Sequence, residues 1–453
     1  MMRLKNILFS LVLAALALTR LSAQAPHGQD APHAPNAPST EQQHVTPHNT
    51  ADTTHGGAGH GVGTANHAAN TAGGQGACHP DAENPDKYDP VPNVMHHIGD
   101  AHQFHVIGDI SLPLPVFAYD TEGGLTAGFS SMFHHGAKAV NGFVLAHDVV
   151  RKAKGLPSGE IELEEIHDGH YSFTKQVENA KGKKEDVSYV KYKGTCYELE
   201  ESRKLTNSSS WIDFSITKNV FTMLMAFGLL AFIFFKVAKS YTTNKGQAPS
   251  GLTNVMEVFV TFIRDEVAKP SIGPKYEKYT TFLMSLFFFI LFNNLFGLAP
   301  FAPFGANVMG NISTTIVLAV IVFLVVNFSG NANYWKHIFW MPDVPIPIKI
   351  LMLPIEIASI FIKPVTLLVR LFANITAGHV VIATFVSLIF VFGNAGKSIG
   401  GSIGGMLIAV PFTAFMNVLE ILVAFLQAFI FTLLSALYIG GAIEEHHHAE
   451  EHH

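Results

Sequence analysis

One arginine, Arg370, lies in a stretch of sequence that carries almost no other charge. The residues around it, from Pro364 to Ala383, are mainly aliphatic. A guanidinium stays protonated in proteins, and at the centre of a membrane helix it costs roughly 2.5–3.5 kcal/mol on insertion scales. A leucine would insert better, so no structural need explains the charge. Such a residue indicates an ion pathway or a charge-coupling site.

Further polar residues lie near Arg370 at helical spacing. Glu356, Lys363 and Arg370 follow one another at intervals of seven, and each step moves only about 20° around an ideal helix. Asn374 comes four residues after Arg370 and joins the same face. His379 comes nine residues after Arg370, close to half a revolution away. We therefore expect one helix with a polar stripe toward one partner and His379 toward another.

A later apolar segment carries a second pair, Glu420 and Gln427, seven residues apart and so on one helix face. Intramembrane Glu and His residues are the groups from which proton relays are built, so Glu420 and His379 are candidate proton carriers. The alternative is a structural hydrogen bond between two packed helices. Two titratable groups and an arginine in one pair of helices exceed that structural need, which favours function.

For the other polar and small residues, a purely structural role is an alternative to a role in an ion pathway. Asn374 and Gln427 could serve only packing, since interhelical polar contacts contribute about 0.6 kcal/mol on average. Glu356 fits a channel mouth or a solvated helix end equally well, and Lys363 could snorkel to a membrane face. Gly378 could let another helix approach closely. Three asparagines near span ends are expected at helix termini rather than as ligands: Asn293, Asn294 and Asn311.

The elements that position these residues are apolar segments long enough to cross a membrane. Five are predicted, at about Asp213–Val237, Tyr279–Leu298, Ile312–Phe328, Ile350–Phe392 and Ile403–Ile443. The last two hold about 40 residues each, roughly 60 Å as helices, against a hydrocarbon core of roughly 30 Å. We expect two long tilted helices that form a hairpin, with two upright helices per segment as the alternative. Residues 252–267 predict one amphipathic helix on the membrane surface.

The part of the chain before the first span is polar and typical of an exported region. In residues 1–25, Arg3 and Lys5 precede an apolar stretch of about 12 residues and a small-residue end, as in a secretory signal peptide. That stretch is too short to span the membrane, which favours cleavage over a stable first helix. We predict a His-rich, low-complexity tether at 26–101 and a small exported domain of mixed or β-rich character at 102–205.

The sequence does not decide whether the histidines of the exported region bind metal or whether its two cysteines form a disulfide. Twelve of the 24 histidines lie between His27 and His105. Metal binding is one interpretation, but the absence of a fixed ligand spacing favours a solvated tether, and no metal site is assigned. The two cysteines, Cys78 and Cys196, could form a disulfide in an oxidising periplasm, which their separation does not decide.

Charge distribution predicts the orientation. Five basic residues follow the first span, which places that loop in the cytoplasm and agrees with an exported N-terminus: Lys245, Arg264, Lys269, Lys275 and Lys278. We predict an all-α polytopic membrane domain at 206–446 and a cytoplasmic His- and Glu-rich tail at 447–453. We predict a multi-pass location in the inner membrane, with a periplasmic N-terminal region and a cytoplasmic C-terminus. The chain lacks a phosphate-binding loop, a nucleophile elbow and a zinc-protease motif, so we expect no catalysis on its own, no cofactor and no nucleic-acid partner.

These motifs resemble subunit a of the rotary F-type ATP synthases of bacteria. The signature region is Arg370-Leu-Phe-Ala-Asn374-Ile-Thr-Ala-Gly378-His379, preceded by Lys363-Pro364-Val-Thr. Leu426-Gln427-Ala428-Phe429-Ile430-Phe431 resembles the last helix of that subunit, and Phe292–Pro300 and Asn311-Ile-Ser-Thr resemble its middle spans. The resemblance covers about Trp211 to His446, and the long exported N-terminus departs from the family.

The resemblance implies a stator subunit of the membrane (Fo) sector, active in ATP synthesis and proton transport. Its implied partners are the rotating ring of c subunits, b-type peripheral-stalk subunits, the F1 sector and membrane lipid. Arg370 would be the essential charge that meets each ring carboxylate and prevents a proton short circuit. Two offset half-channels would serve that contact. The exported-side path would contain Asn374, His379, Glu420 and Gln427, and the cytoplasmic path would contain Glu356.

One pair of residues departs from the family pattern, and a second function is compatible with part of the sequence. Many bacterial members of the family carry an acid at the position of His379 and a histidine at that of Glu420, so the resemblance implies an exchanged pair here, which fits two groups that act together. The rival is a metal-ion secondary transporter with the His-rich tract as its collector. A permanent cation at Arg370 would repel a divalent ion, which opposes that function. A scaffold without an ion path leaves Arg370 and Glu420 without a reason.

Overall fold

The computed structural model describes residues 99–444, except for short gaps at 108–109, 122, 167–169, 179–183, 204–208, 245, 300–303, 341–344 and 395–396. The predicted signal peptide, nearly all of the tether, Cys78 and the tail at 447–453 lie outside the described residues. Cys196 is disulfide-bonded.

Antiparallel strands make up the region before the first long helix, which confirms its β-rich character. A hairpin pairs β1 with β2, a seven-stranded sheet has the order β8-β5-β6-β7-β11-β10-β9, and a three-stranded sheet has the order β12-β3-β4. The bounds are β1 Gln103–Ile107, β2 Ile110–Pro113, β3 Pro115–Asp120, β4 Gly124–Phe129, β5 Lys138–Val140, β6 Phe143–Ala146, β7 Val149–Ala153, β8 Glu160–Glu162, β9 Ser172–Glu178, β10 Lys184–Tyr192, β11 Thr195–Glu200 and β12 Trp211–Asp213.

The core of this region depends on strand β6, which is buried on both faces. Phe143 and Leu145 join one hydrophobic cluster with Trp211 of β12, and the Phe143 and Trp211 rings meet edge to face at 5.1 Å. Val144 and Ala146 belong to a second cluster on the opposite face. The period of two along a strand thus lets β6 hold the two larger sheets together.

Helices follow from residue 218 onward, and five helical segments of the described chain are long and apolar enough to cross a membrane, as predicted. The bounds are α1 Lys218–Thr243, α2 Leu252–Phe262, α3 Tyr276–Leu298, α4 Ile312–Ser329, α5 Ala332–Phe339, α6 Ile346–Phe392 and α7 Ile399–Ile443. A π-helical turn and a short helical turn connect α2 to α3, so residues 252–298 count as one candidate span. The predicted helix at 252–267 is present in α2, and its position on the membrane surface stays a prediction.

The start of the first span was predicted too early. Strand β12 occupies Trp211–Asp213 and pairs with β3, and Ile216 N still donates to Pro115 O at 3.0 Å. Because the backbone of this segment is hydrogen-bonded to β3, the helix begins only at Lys218. Strand pairing therefore continues past residue 205, the predicted end of the exported domain.

The two long helices are each continuous, which supports single long helices over upright pairs. Helix α6 has 47 residues and runs through Pro354 and Pro364, and α7 has 45 residues. They form a hairpin whose closed end depends on Gly405, because a Cβ there would lie 3.1 Å from Leu388 O. Their tilt in a membrane stays a prediction.

An ion pair joins the residue before β1 to strand β12, five residues before the start of α1. His102 Nε2 lies 3.0 Å from Asp213 Oδ2, and both side chains are largely buried. Burial opposes protonation of His102, but the Asp213 carboxylate outweighs it and holds the pKa of His102 above 6.5. Burial would also raise the pKa of Asp213, but the same partner holds it below its usual 3.8. Lys218 N donates to Ala101 O beside this pair.

We predict a pH-dependent stability of this junction. The raised pKa of His102 stabilises the folded state fully below about pH 6.5, and this contribution is lost as the pH rises through the folded pKa. The lowered pKa of Asp213 stabilises the folded state above about pH 3.8, and this contribution is lost as the pH falls through its folded pKa. The difference in unfolding temperature between the unmodified chain and His102→Gln should therefore shrink as the pH is raised from about 6 to 9. A constant difference would contradict the assignment.

Candidate functional site

Arg370 lies on α6 at the border between the packed and the open side of the helix. Its neighbours Leu367 and Leu371 are fully buried against the helical core, whereas Val369 is exposed. Arg370 itself is half-buried. Within the described residues, no ion pair or hydrogen bond engages its side chain. The guanidinium is therefore free to meet a group from outside this chain.

The exposed side of α6 beside Arg370 is mainly apolar. The large exposed side chains in the turns before Arg370 are Phe361, Ile362, Val365 and Val369, and Lys363 and Thr366 are also exposed there. Exposed apolar side chains also occur along α7, at Phe415, Val418, Ile421 and Leu422. Asn374, one turn after Arg370, is exposed as well. A mainly apolar surface that carries a cation fits lipid or a membrane-embedded partner rather than water.

His379 and Glu420 meet between the two long helices, as the sequence suggested. His379 Nε2 lies 3.8 Å from Glu420 Oε1, and their side chains are 12% and 4% exposed. Neither Glu420 oxygen has a hydrogen-bond partner among the described residues. Burial of a carboxyl group without hydrogen bonds is costly, so packing alone does not explain Glu420.

Two glycines lie against this pair, and one of them is required by it. A Cβ at Gly378 of α6 would lie 2.6 Å from Glu420 Oε1, closer than any side-chain contact allows. A Cβ at Gly297 of α3 would lie 3.6 Å from His379 Nε2 and 3.1 Å from Ala306 O. Gly378 therefore permits the close approach of α7 that its small size predicted, and α3 completes the enclosure.

Asn294 belongs to the same region, and the sequence prediction for it was wrong. It lies inside α3, buried, and its Nδ2 donates to Ala424 O of α7 at 3.2 Å. Gln427, also buried, lies one turn further along α7. Asn311, in contrast, is the N-cap of α4 as expected, with its side chain accepting from Ser313 N. Asn294 differs in its role from Asn311 because α3 packs on α7, and the sequence around Asn294 does not indicate that packing.

Glu356 and Lys363 line a separate polar cavity of about 240 Å³ on the other side of Arg370 along α6. Lys363 Nζ lies 5.6 Å from the centre of the Tyr438 ring. The sequence did not single out the other polar residues of this cavity, which come from α5, α6 and the end of α7: Asn333, Tyr334, His337, Ser359 and Glu444. Neither His379 nor Glu420 belongs to the lining of this cavity.

Across the described ranges, no three His, Cys, Asp or Glu side chains lie together as a metal site would require. The His-rich tract up to residue 97 is outside those ranges.

Comparison with known proteins covers both halves of the chain. The family of the ATP synthase A chain matches residues 220–440, and a domain of unknown function, DUF8433, matches residues 93–176. ATP synthase subunit a of Chloroherpeton thalassium is 44% identical over 248 residues, which are 53% of this chain and 70% of that protein. Subunit a 2 of Prosthecochloris aestuarii is 44% identical over 245 residues, 53% of this chain and 72% of that protein. All the site residues lie in the matched region, and the chain belongs to the ATP synthase subunit a family.

Proposed function

We propose that this chain is the proton-conducting stator subunit of the Fo sector of a bacterial F-type ATP synthase, in the inner membrane. The observation that carries the proposal is the order of three features along α6. Arg370 lies on an open apolar surface, with the Glu356–Lys363 cavity before it and the His379–Glu420 pair after it. At 1.5 Å per residue, Glu356 and His379 are about 21 Å and 14 Å from Arg370 along the helix.

The partner on the open surface is the rotating ring of c subunits, which carries carboxyl groups. A carboxyl group can cross lipid only when neutral, because a bare charge there is too costly. Beside Arg370 its anion is favoured, so the carboxyl group releases a proton. Arg370 remains positive throughout and repels protons that would pass directly between the two sides. The peripheral stalk of b-type subunits holds this chain still against the ring and links it to F1.

Two half-channels serve the carboxyl group at Arg370. The periplasmic path uses His379, Glu420, Asn374 and Gln427, in which the imidazole and the carboxyl group exchange a proton across the two helices. The cytoplasmic path uses the cavity at Glu356. Each proton that crosses a potential of 100 mV supplies about 2.3 kcal/mol, and several are needed per nucleotide. The N-terminal region is periplasmic and the C-terminus cytoplasmic in this arrangement.

Arg370→Ala should reduce ATP-driven proton pumping to background in vesicles that contain the assembled complex, because the ring carboxyl group no longer loses its proton there. Lys397→Ala, which removes an exposed charge in the turn between α6 and α7, is the matched control and should leave pumping unchanged. Acidification of the vesicles is followed with a fluorescent dye. Intact pumping in Arg370→Ala would refute the proposed function.

Exchange of the buried pair should separate a relay from a packing contact. His379→Glu alone places two carboxyl groups together, and Glu420→His alone places two imidazoles together, so each should lose more than half of the proton flux. The double variant restores one acid and one base at the 3.8 Å contact and should recover most of it. Equal loss in the double and single variants, with normal complex assembly, would argue against a shared role.

The two paths should open to opposite sides of the membrane. Glu356→Cys should react with a membrane-impermeant thiol reagent from the cytoplasmic side, because it lines a polar cavity. Asn374→Cys, exposed next to Arg370, should react from the periplasmic side. Leu371→Cys, at a fully buried position of the same helix, is the unreactive control. Labelling of both polar positions from one side would rule out two offset half-channels.

A further inference from the structure

The three-stranded sheet β12-β3-β4 has large apolar side chains on its exposed face as well as in its buried core. Val116 and Ala118 are buried in the strand region, as expected for one face. The opposite face of a sheet that meets water is normally polar. Here the exposed side chains are apolar or aromatic: Phe117, Tyr119, Leu125, Phe129 and Phe214. Exposed apolar patches of this kind mark interaction sites for proteins or membranes.

One end of this face adjoins the entry of the first membrane helix. Phe214 N donates to Phe117 O at 2.8 Å, and Phe129 pairs with Pro115, whose carbonyl oxygen accepts from Ile216 N. Helix α1 begins two residues after Ile216. At about 3.3 Å per strand residue, this end of the sheet is within about 10 Å of the start of α1.

The β1–β2 hairpin extends the same apolar surface around α1. Phe104 is buried in the helical core, and its ring meets that of Phe221 of α1 edge to face at 5.8 Å. Leu112, directly opposite Phe104 in the hairpin register, is exposed. The hairpin therefore contacts the first turn of α1 through Phe104, while Leu112 on the paired strand stays exposed.

We propose that Leu112, Phe117, Phe129 and Phe214 form an apolar collar that contacts the lipid headgroup region where α1 enters the membrane. Lipid is the occupant that continuity favours, because the collar continues directly into a helix that crosses the membrane. Phe and Leu are also among the side chains that interfacial segments bury at the boundary between headgroups and acyl chains. The collar would anchor the strand region on the bilayer surface, and the inference requires only the membrane insertion of α1, so it is independent of the ion path.

Leu125, on the same sheet, is a matched control for Phe129. Leu125 shares the exposed face with Phe129, and the two are similarly exposed, at 63% and 57%. Leu125 pairs with Tyr119, opposite Ile212, which is six residues before α1. That places Leu125 about 20 Å from the start of the helix along the strands. A lipid contact should therefore favour Phe129, whereas a protein that covers the whole face should reach both.

Photo-crosslinking can identify what touches the collar. Benzoylphenylalanine is introduced singly at Phe117, Phe129, Leu125 or Val177, an exposed position on β9. The complete complex is placed in vesicles of phosphatidylethanolamine and phosphatidylglycerol, irradiated, and analysed by mass spectrometry. We expect phospholipid adducts at Phe117 and Phe129 that are severalfold more abundant than at Leu125 and absent at Val177. Adducts to another subunit or to this chain, or lipid adducts no more abundant than at Val177, would overturn the proposal.

Discussion

A guanidinium that cannot lose its proton controls the architecture of the helical part. In an apolar environment such a charge is tolerated only where a partner or a polar pathway meets it. No described residue of this chain supplies that partner for Arg370, and the long helices that carry it leave one side open. The remaining buried polar groups are arranged on either side of that point. The fold thus presents an unpaired cation rather than neutralising it.

The packing around the buried pair shows how little space the fold leaves. Gly378 admits Glu420 to the surface of α6, and Gly297 of α3 lies next to His379. Three helices meet there, and the Asn294 amide joins α3 to α7 beside them. The pair is therefore held by backbone proximity as well as by its own contact. In this arrangement the side chains of His379 and Glu420 are only 12% and 4% exposed.

Much of the helical fold could be predicted because hydrophobic length is a local property of the sequence. The two long helices and the helical phase that separates His379 from Arg370 follow from spacing alone. The start of α1 could not be predicted, since pairing of β12 with β3, about 95 residues earlier, decides it. Asn294, His337 and Tyr334 were missed for a similar reason. The neighbours of these residues depend on how α3 and α5 pack against other helices. The periodicity within a single helix does not indicate that packing.

Continuity of α6 has a mechanical consequence. The 47-residue helix, continuous through Pro354 and Pro364, sets the separations between Glu356, Arg370 and His379 along the chain. Two helices joined by a loop could vary these separations as a partner moves past, whereas a continuous helix fixes the number of turns between the three residues. The spacing of groups on any passing partner must then match distances that this chain sets, so α6 constrains the geometry of a molecule to which it is never covalently joined.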